Sequence, residues 1–321
     1  MRSSVQRFAG RLASLGAVLF LVSLISFLLV DLLPGDPSTT LLPPGTSPET
    51  ARLVRREMGL DLGRVPRYVH WVGRALRGDL GVTYGNGESV GRLLGRAFTV
   101  TIELMIVTQI FALALAVTIA LLAARSAGGL FDRVVRIAIS GALALPQFAV
   151  ALVLILVFAV HLHWFPAVGF VHLTDDPIAN LRSLVLPTIA LGLPATATYV
   201  RVLRAELVVT LASDHVVLAR GLGLPERRIL VNHALRQSLS GLLAIVGLQT
   251  GMLLGGSFLV ENIFALPGIG RLLLTSVGKR EYFVVQGGVL VVGAGFVLVN
   301  ALIDALRTRL DPRIRVRALV A

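Results

Sequence analysis

The stretch LMIVTQIFALALAVTIALLAA, residues 104–124, decides the fold class of this chain. It runs for 21 residues without an Asp, Glu, Lys or Arg. About 20 apolar residues in an α-helix are enough to cross the roughly 30 Å hydrocarbon core of a bilayer. A segment within lipid must satisfy its backbone hydrogen bonds internally, so a helix is the expected form. The stretch therefore predicts a transmembrane helix.

The rest of the chain repeats this pattern. Of its 321 residues, 55% are hydrophobic and only 15% are charged, with a mean hydropathy of +0.82. Soluble domains carry more charge. The windows of 18 or more residues without a charge are 12–30, 104–124, 137–160, 183–200, 237–260 and 282–303. We predict an all-α membrane protein with six transmembrane helices.

The distribution of Lys and Arg predicts the orientation of these helices. If the N-terminus is cytoplasmic, the inner segments hold 17 of the 30 basic residues. The first outer segment, 34–100, is over 60 residues long, and loops of that length translocate largely regardless of charge. Without it, the comparison is 17 inside against 4 outside, which predicts that both termini are cytoplasmic. The net charge of +12 is spread over these loops, which disfavours a nucleic-acid-binding domain.

The segments around the first window add local predictions. Its uncharged run ends in DLLPGDP and not in a small-residue cleavage site, which favours a retained first helix over a signal peptide. Two helices are predicted in the following loop, at 46–60 and 66–76. In the second of these, Tyr68 and Trp71 are suited to the membrane surface.

Several kinds of chemistry are missing from the sequence. A P-loop requires Lys followed by Ser or Thr, but Arg280 follows the only lysine, Lys279. There is no cysteine and no HExxH or GxSxG motif. His161 and His163 would face different sides of a helix, so they are not expected to share a metal ion. We expect no catalytic residue, no metal site and no cofactor in this chain.

Charges are also absent from the middle of every window. Proton-coupled carriers place ionisable groups inside the membrane. Here the acids nearest to the windows lie at their ends, where we expect interfacial solvation; they are Asp31, Glu103, Glu261 and Asp304. This pattern disfavours a carrier with a proton relay.

Small and helix-breaking residues indicate where the helices pack or bend. Gly247, Gly251 and Gly255 recur every fourth residue, which places them on one helix face and allows a close neighbour. They are candidates for a packing seam within the chain, for a gate or for a seam with a partner. Pro187 and Pro194 each remove a backbone hydrogen bond and predict a kink or break in a helix that could line a path.

One polar stretch, SDHVVLARGLGLPERR at 213–228, interrupts the apolar pattern within the predicted inner loop 201–236. Ser213 and Asp214 suit the start of a helix. Gly221 and Gly223 suit its end, and Pro225 suits the first turn of a second helix. The stretch predicts helix, bend, helix, which from the residues alone could be a solvated surface loop or a docking site.

This stretch resembles the coupling loop of ABC importer permeases of the dipeptide, oligopeptide and nickel branch. The matching residues are Asp214, Ala219, Arg220, Gly223, Leu224, His233, Ala234, Leu235 and Arg236. His215 departs from the usual aromatic residue, Gly221-Leu222 from Ala-Lys, and Ser240 from proline. The lost lysine removes a possible contact, and the added glycine could loosen the turn.

The resemblance extends over nearly the whole chain. Further stretches similar to the family's motifs are LLPGDP (32–37), GLD (59–61), Tyr68, Trp71, RGDLGVTY (77–84), VENIFALPGIGRLL (260–273) and LDPRIR (310–315). The resemblance implies the type I importer permease fold. It implies a first helix and extracytoplasmic element at 1–95, a permease domain at 96–310 and a cytoplasmic tail at 311–321.

The resemblance also implies function and partners. In this family two permeases form one path, two cytoplasmic ATPases bind ATP and Mg²⁺, and an extracytoplasmic binding protein delivers the substrate. The residues implied in ATPase coupling are Asp214, Ala219, Arg220, Gly223, Leu224 and Arg227. The expected cargo is a di- or oligopeptide, with nickel or another small solute as the alternative.

Two rival functions remain open at this point. A channel or secondary carrier acting alone would transport without a partner ATPase. A membrane enzyme or scaffold would purify without one. The missing P-loop and the missing membrane charges favour the importer subunit.

Overall fold

The computed structural model describes residues 15–28, 49, 62–84 and 87–310. Ten helices occur in this part of the chain. They are α1 (Leu15–Leu28), α2 (Arg64–Ala75), α3 (Val90–Arg125), α4 (Leu130–Ala144), α5 (Gln147–His161), α6 (Pro177–Leu211), α7 (Asp214–Gly221), α8 (Glu226–Ile263), α9 (Ile269–Gly278) and α10 (Tyr282–Leu310). The described residues form no β-strand, only an isolated bridge between Val82 and Ser89. The all-α prediction is confirmed.

Four helices are long and apolar enough to cross a membrane: α3, α6, α8 and the Tyr282–Ile303 part of α10. They coincide with four of the predicted windows. The window 137–160 is not one straight helix, because α4 and α5 meet at an angle of 100°. Leu145 is extended, as expected for a residue that precedes a proline, and Pro146 then starts α5. This pair is a fifth candidate span, and α1 covers the described part of the first window.

The chain divides into two compact units, each built from distant segments. Unit 1 comprises Met1–Val100 and Pro267–Val297, and unit 2 comprises Thr101–Leu266 and Leu298–Ala321. The domain boundaries implied by the resemblance stay a prediction.

Unit 1 is held together by apolar packing and by the RGDLGVTY motif. Its core joins α3, α9 and α10 through Val90, Leu94, Ala97, Ile269 and Val284. Asp79 accepts hydrogen bonds from Arg74 Nε at 2.8 Å and from the Gly81 amide at 3.0 Å, and the Arg74 guanidinium lowers its pKa. The Tyr84 amide donates to Glu281 Oε2 at 2.9 Å, which fixes the motif against the start of α10.

The aromatic residues of α2 face the protein. Trp71 is buried, and Tyr68 packs edge-on against Phe27 of α1 with ring centroids 5.3 Å apart. The Tyr68 hydroxyl lies 2.8 Å from Ser23 Oγ. The predicted helix is therefore confirmed. The Trp71 ring packs inside unit 1 and does not face outward, and its position relative to the membrane surface stays a prediction. The helix predicted at 46–60 lies outside the described residues except for Glu49.

Helix α6 is the centre of unit 2. Pro177 occupies its first turn, and Asp176 Oδ1 caps it by accepting from the Ile178 and Ala179 amides at 2.9 and 3.0 Å. Of its most apolar 18-residue window, 72% is buried inside the protein. The helix runs through Pro187 and Pro194 without a break, so of the predicted kink or break the break is absent and the kink stays a prediction.

Acidic groups at the window ends are more buried in unit 2 than expected. Glu261 is fully buried, and Thr101 donates to its Oε1 at 2.7 Å. Glu103 accepts from Asn180 Nδ2 at 2.7 Å. The expected interfacial solvation is wrong for Glu261, because tertiary packing supplies its hydrogen bonds.

Candidate coupling surface

The polar stretch folds as helix, bend, helix, as predicted. Helix α7 begins after Ser213 and ends at Gly221, and α8 begins at Glu226 directly after Pro225. The connection is shorter than the predicted inner loop 201–236, because α6 continues to Leu211. The loop proper, which we call the coupling surface, comprises residues 212–228.

The start of α7 differs in one detail from the prediction. Ser213 occupies the N-cap position, but its hydroxyl donates to the Thr210 carbonyl and lies 3.0 Å from His215 Nδ1. Asp214 is exposed in the first turn, where its charge favours the positive end of the helix. His215 therefore stands beside Ser213 and is exposed.

The bend is a Schellman motif, in which a left-handed residue follows the end of a helix. Gly223 has φ of +77°, a conformation that favours glycine. The Gly223 amide donates to the Arg220 carbonyl at 2.9 Å, and the Leu224 amide donates to the Ala219 carbonyl at 3.2 Å. Gly221 is still helical, so the turn depends on Gly223. The Gly221-Leu222 departure leaves this geometry intact.

Apolar contacts fix the inner side of the coupling surface. Val216 and Ala219 of α7 are buried against Ile229 of α8, with Leu211 and Leu224 packed beside them. Ala219 and Leu224 therefore hold the bend in place from within this chain. These two apolar side chains therefore act on the shape of the surface more than on direct contact with a partner.

Charged groups form the outer side. Arg220 Nε donates to Glu226 Oε1 at 2.7 Å, which ties the end of α7 to the start of α8 across the bend. Arg220, Gly223 and Arg227 are all exposed. An open cavity of about 300 Å³ lies beside this pair, lined by Arg125, Ala127, Ala212, Arg220, Glu226 and Leu230 among others. A partner could reach both charge and small residues here.

A buried ion pair supports this end of unit 2, and the sequence analysis missed it. Asp132 of α4 is fully buried and accepts hydrogen bonds from Arg204 of α6 through both carboxylate oxygens, one at 2.7 Å from Nη2. The Gly128 amide donates to the same carboxylate at 3.0 Å. In the sequence Asp132 precedes Arg136 by one helical turn, a spacing that marks Asp132 as a partner for arginine but does not point to Arg204.

The glycine seam of α8 is only partly where the spacing predicted it. A Cβ on Gly247 would lie 3.1 Å from Ile303 Cγ2, so this glycine allows the close approach of α10. A Cβ on Gly255 would meet nothing within 4 Å, whereas a Cβ on its neighbour Gly256 would lie 3.0 Å from Gln147 Oε1. Gly251 is half-buried between them. The contacts within this chain therefore do not follow a four-residue repeat.

Fold and surface together define a class: a multi-pass, all-helical membrane protein that exposes a charged helix–turn–helix between two long helices. Residues 116–316 match the family described as binding-protein-dependent transport system inner membrane component, and residues 4–122 match its N-terminal companion. The chain belongs to this family. It is an inner membrane component of a transport system that depends on a binding protein.

Individual relatives agree along the full length. A protein of Brucella abortus (strain 2308) that carries the name of a peptide transport system permease is 36% identical over 306 residues, covering 95% of this chain and 97% of its own. The glutathione transport system permease protein GsiC of Escherichia coli (strain K12) is 34% identical with the same coverage. The resemblance stated from the sequence motifs is confirmed.

Proposed function

We propose that this chain is the permease subunit of an ATP-driven importer of di- or oligopeptides. The likeness over 95% of the chain to a peptide permease carries the proposal, and the glutathione permease supports it because glutathione is itself a short peptide. The chain forms the path with a second permease. ATP and Mg²⁺ bind partner ATPases, and an extracytoplasmic binding protein delivers the peptide.

The coupling surface is the proposed site of ATPase contact. Its bend is held by backbone hydrogen bonds and by a small apolar cluster, so it can transmit a push as a rigid body. Asp214, Arg220 and Arg227 lie on its exposed side and offer charges to a partner groove. This role explains why a polar loop stands between two membrane helices.

Six spans with both termini in the cytoplasm complete the proposal. Four helices are long enough to be spans and the bent pair is a candidate fifth, and we propose that the shorter apolar helix α1 belongs to the sixth. The cysteine-free sequence allows a direct test with single cysteines at exposed Leu222 and Leu173. In intact cells a membrane-impermeant thiol reagent should label position 173 and leave position 222 unlabelled until the cells are opened. Labelling of position 222 from outside would reverse the orientation.

Reconstitution tests the transport function. The chain, the second permease, the ATPases and the binding protein are assembled in liposomes, and uptake of labelled dipeptides, glutathione and Ni²⁺ is compared. We expect peptide uptake that requires ATP and stops when the ATPase P-loop lysine is substituted. Uptake without ATP would indicate a carrier, and uptake of Ni²⁺ alone would assign the alternative cargo.

A further inference from the structure

We propose that Asp132 and Arg204 form a transmission pair that carries the movement of the coupling surface to the bent helices α4 and α5. This inference rests on the proposed function, since it names residues through which ATPase contact would act on the membrane segments. Both residues are positioning residues: neither is placed in contact with cargo or nucleotide.

The geometry of the pair is that of a rigid clamp. Arg204 donates through Nε and Nη2 to the two carboxylate oxygens of Asp132, which is a bidentate arrangement. Such pairs fix orientation as well as distance. Asp132 is fully buried, and the Gly128 amide at 3.0 Å adds a third hydrogen bond to its carboxylate.

The pair lies between the coupling surface and the helix break. Arg204 is on α6, about two turns before Leu211, and Leu211 packs on the cluster of Val216, Ala219 and Ile229. Arg220 Nη1 also lies 3.4 Å from the Leu211 carbonyl. A displacement of α7 would therefore move Leu211 at the end of α6, and with it Arg204 on the same helix.

On its other side the pair holds the start of α4. Asp132 is in the first turn of that helix, which ends at the extended Leu145 before α5. A helix that is clamped at one end and broken at the other can turn about the break. The 100° junction with α5 is thus the element that a shift of Arg204 would move.

The first test substitutes Asp132→Asn in the assembled transporter. An amide keeps the size but cannot accept two charged hydrogen bonds, and we expect ATP-driven uptake to fall about tenfold, in the range of typical coupling between sites. Basal ATP hydrolysis and copurification of the ATPase should be unchanged. Arg204→Lys keeps the charge and loses the bidentate fork, so it should give a smaller fall.

Arg136→Gln is the matched control. Arg136 approaches the same carboxylate only at 3.7 Å and is exposed, so its loss should leave uptake unchanged. Uptake retained in Asp132→Asn would overturn the proposal. Loss of uptake that merely parallels loss of folded complex in both Asp132→Asn and Arg204→Lys would assign a structural role and also overturn it.

A distance measurement separates this inference from the proposed function. Spin labels on cysteines that replace the exposed Val134 of α4 and Val209 of α6 measure the distance between the two helices that the ion pair joins. We expect one narrow distance that is the same with and without ATP, and a broadened or shifted one in Asp132→Asn. An unchanged distribution in that variant contradicts the clamp, whereas absence of ATP-driven uptake in the native complex contradicts only the importer.

Discussion

Helices α6 and α7 are consecutive in the chain, but the central part of α6 is mostly buried whereas α7 is mostly exposed. Most of the central part of α6 is buried inside unit 2, including Leu191, Ala195 and Tyr199. Helix α7 buries only Val216 and Ala219 among its eight residues. The difference indicates that α6 is specified by contacts within the chain, whereas α7 keeps just enough contact to fix its position and presents the rest outward.

Gly192 in α6 and Gly223 after α7 differ in the same way, one in a packed contact and the other at an exposed position. A Cβ on Gly192 of α6 would lie 3.1 Å from Phe111 Cδ1 and 3.3 Å from Thr108 Cγ2, so this glycine allows helices to approach. A Cβ on Gly223 would meet nothing within 4 Å, and that glycine is required by its positive φ. Bulk should therefore damage folding at the first site and docking at the second.

The largest effect is expected from Gly223→Trp. A Cβ at this position meets nothing within 4 Å in this chain, and the exposed indole would stand in any surface that docks on the bend. We expect the protein to reach the membrane and ATP-driven peptide uptake to fall to background. Uptake is measured in cells, with membrane content measured by immunoblot.

Gly223→Asn is the control for this substitution. Asparagine tolerates the left-handed conformation and adds little bulk, so it should retain most of the uptake. Normal uptake by Gly223→Trp would remove the coupling assignment. Equal loss in both variants would trace the effect to the backbone and not to docking.

The next effect concerns α6. Gly192→Leu should destabilise the folded chain by about 1–3 kcal/mol, because the added side chain overpacks the contact with Phe111 and Thr108. Thermal unfolding of the purified protein in detergent measures this loss. Gly255→Leu is the matched control, since its site is open. An unchanged unfolding temperature for Gly192→Leu would show that α6 is not packed tightly enough for contacts within the chain to specify it.

The smallest effect is expected from the charges of the coupling surface. Arg220→Ala removes an exposed ion pair with Glu226, and such pairs contribute about 0–1 kcal/mol, so stability should barely change. ATPase copurification should nevertheless decrease, because the guanidinium is exposed on the surface that we propose the ATPase contacts. Asp214→Ala should weaken association as well. Unchanged copurification would exclude these two residues from the contact.

Local features of the fold followed directly from the sequence. The bounds of α7, the turn at Gly223 and the start of α8 at Pro225 depend on backbone preferences of neighbouring residues. The long helices followed from runs without charge, since a single uncharged run of this length has few other stable forms in lipid. The function class followed from the match of several motifs in order.

Contacts between distant residues were decided only by the tertiary structure. Asp132 and Arg204 are 72 residues apart, and neither identity nor spacing reveals that they meet. Burial of Glu261 and Trp71 and the close packing at Gly256 and not at Gly255 have the same origin. The spacing of residues along a helix determines which of them share a face. Which neighbour that face contacts depends on how all helices of a unit pack together. The sequence by itself thus determined that the chain crosses a membrane and carries a polar helix–bend–helix between two long helices, and packing decided which residues support that bend.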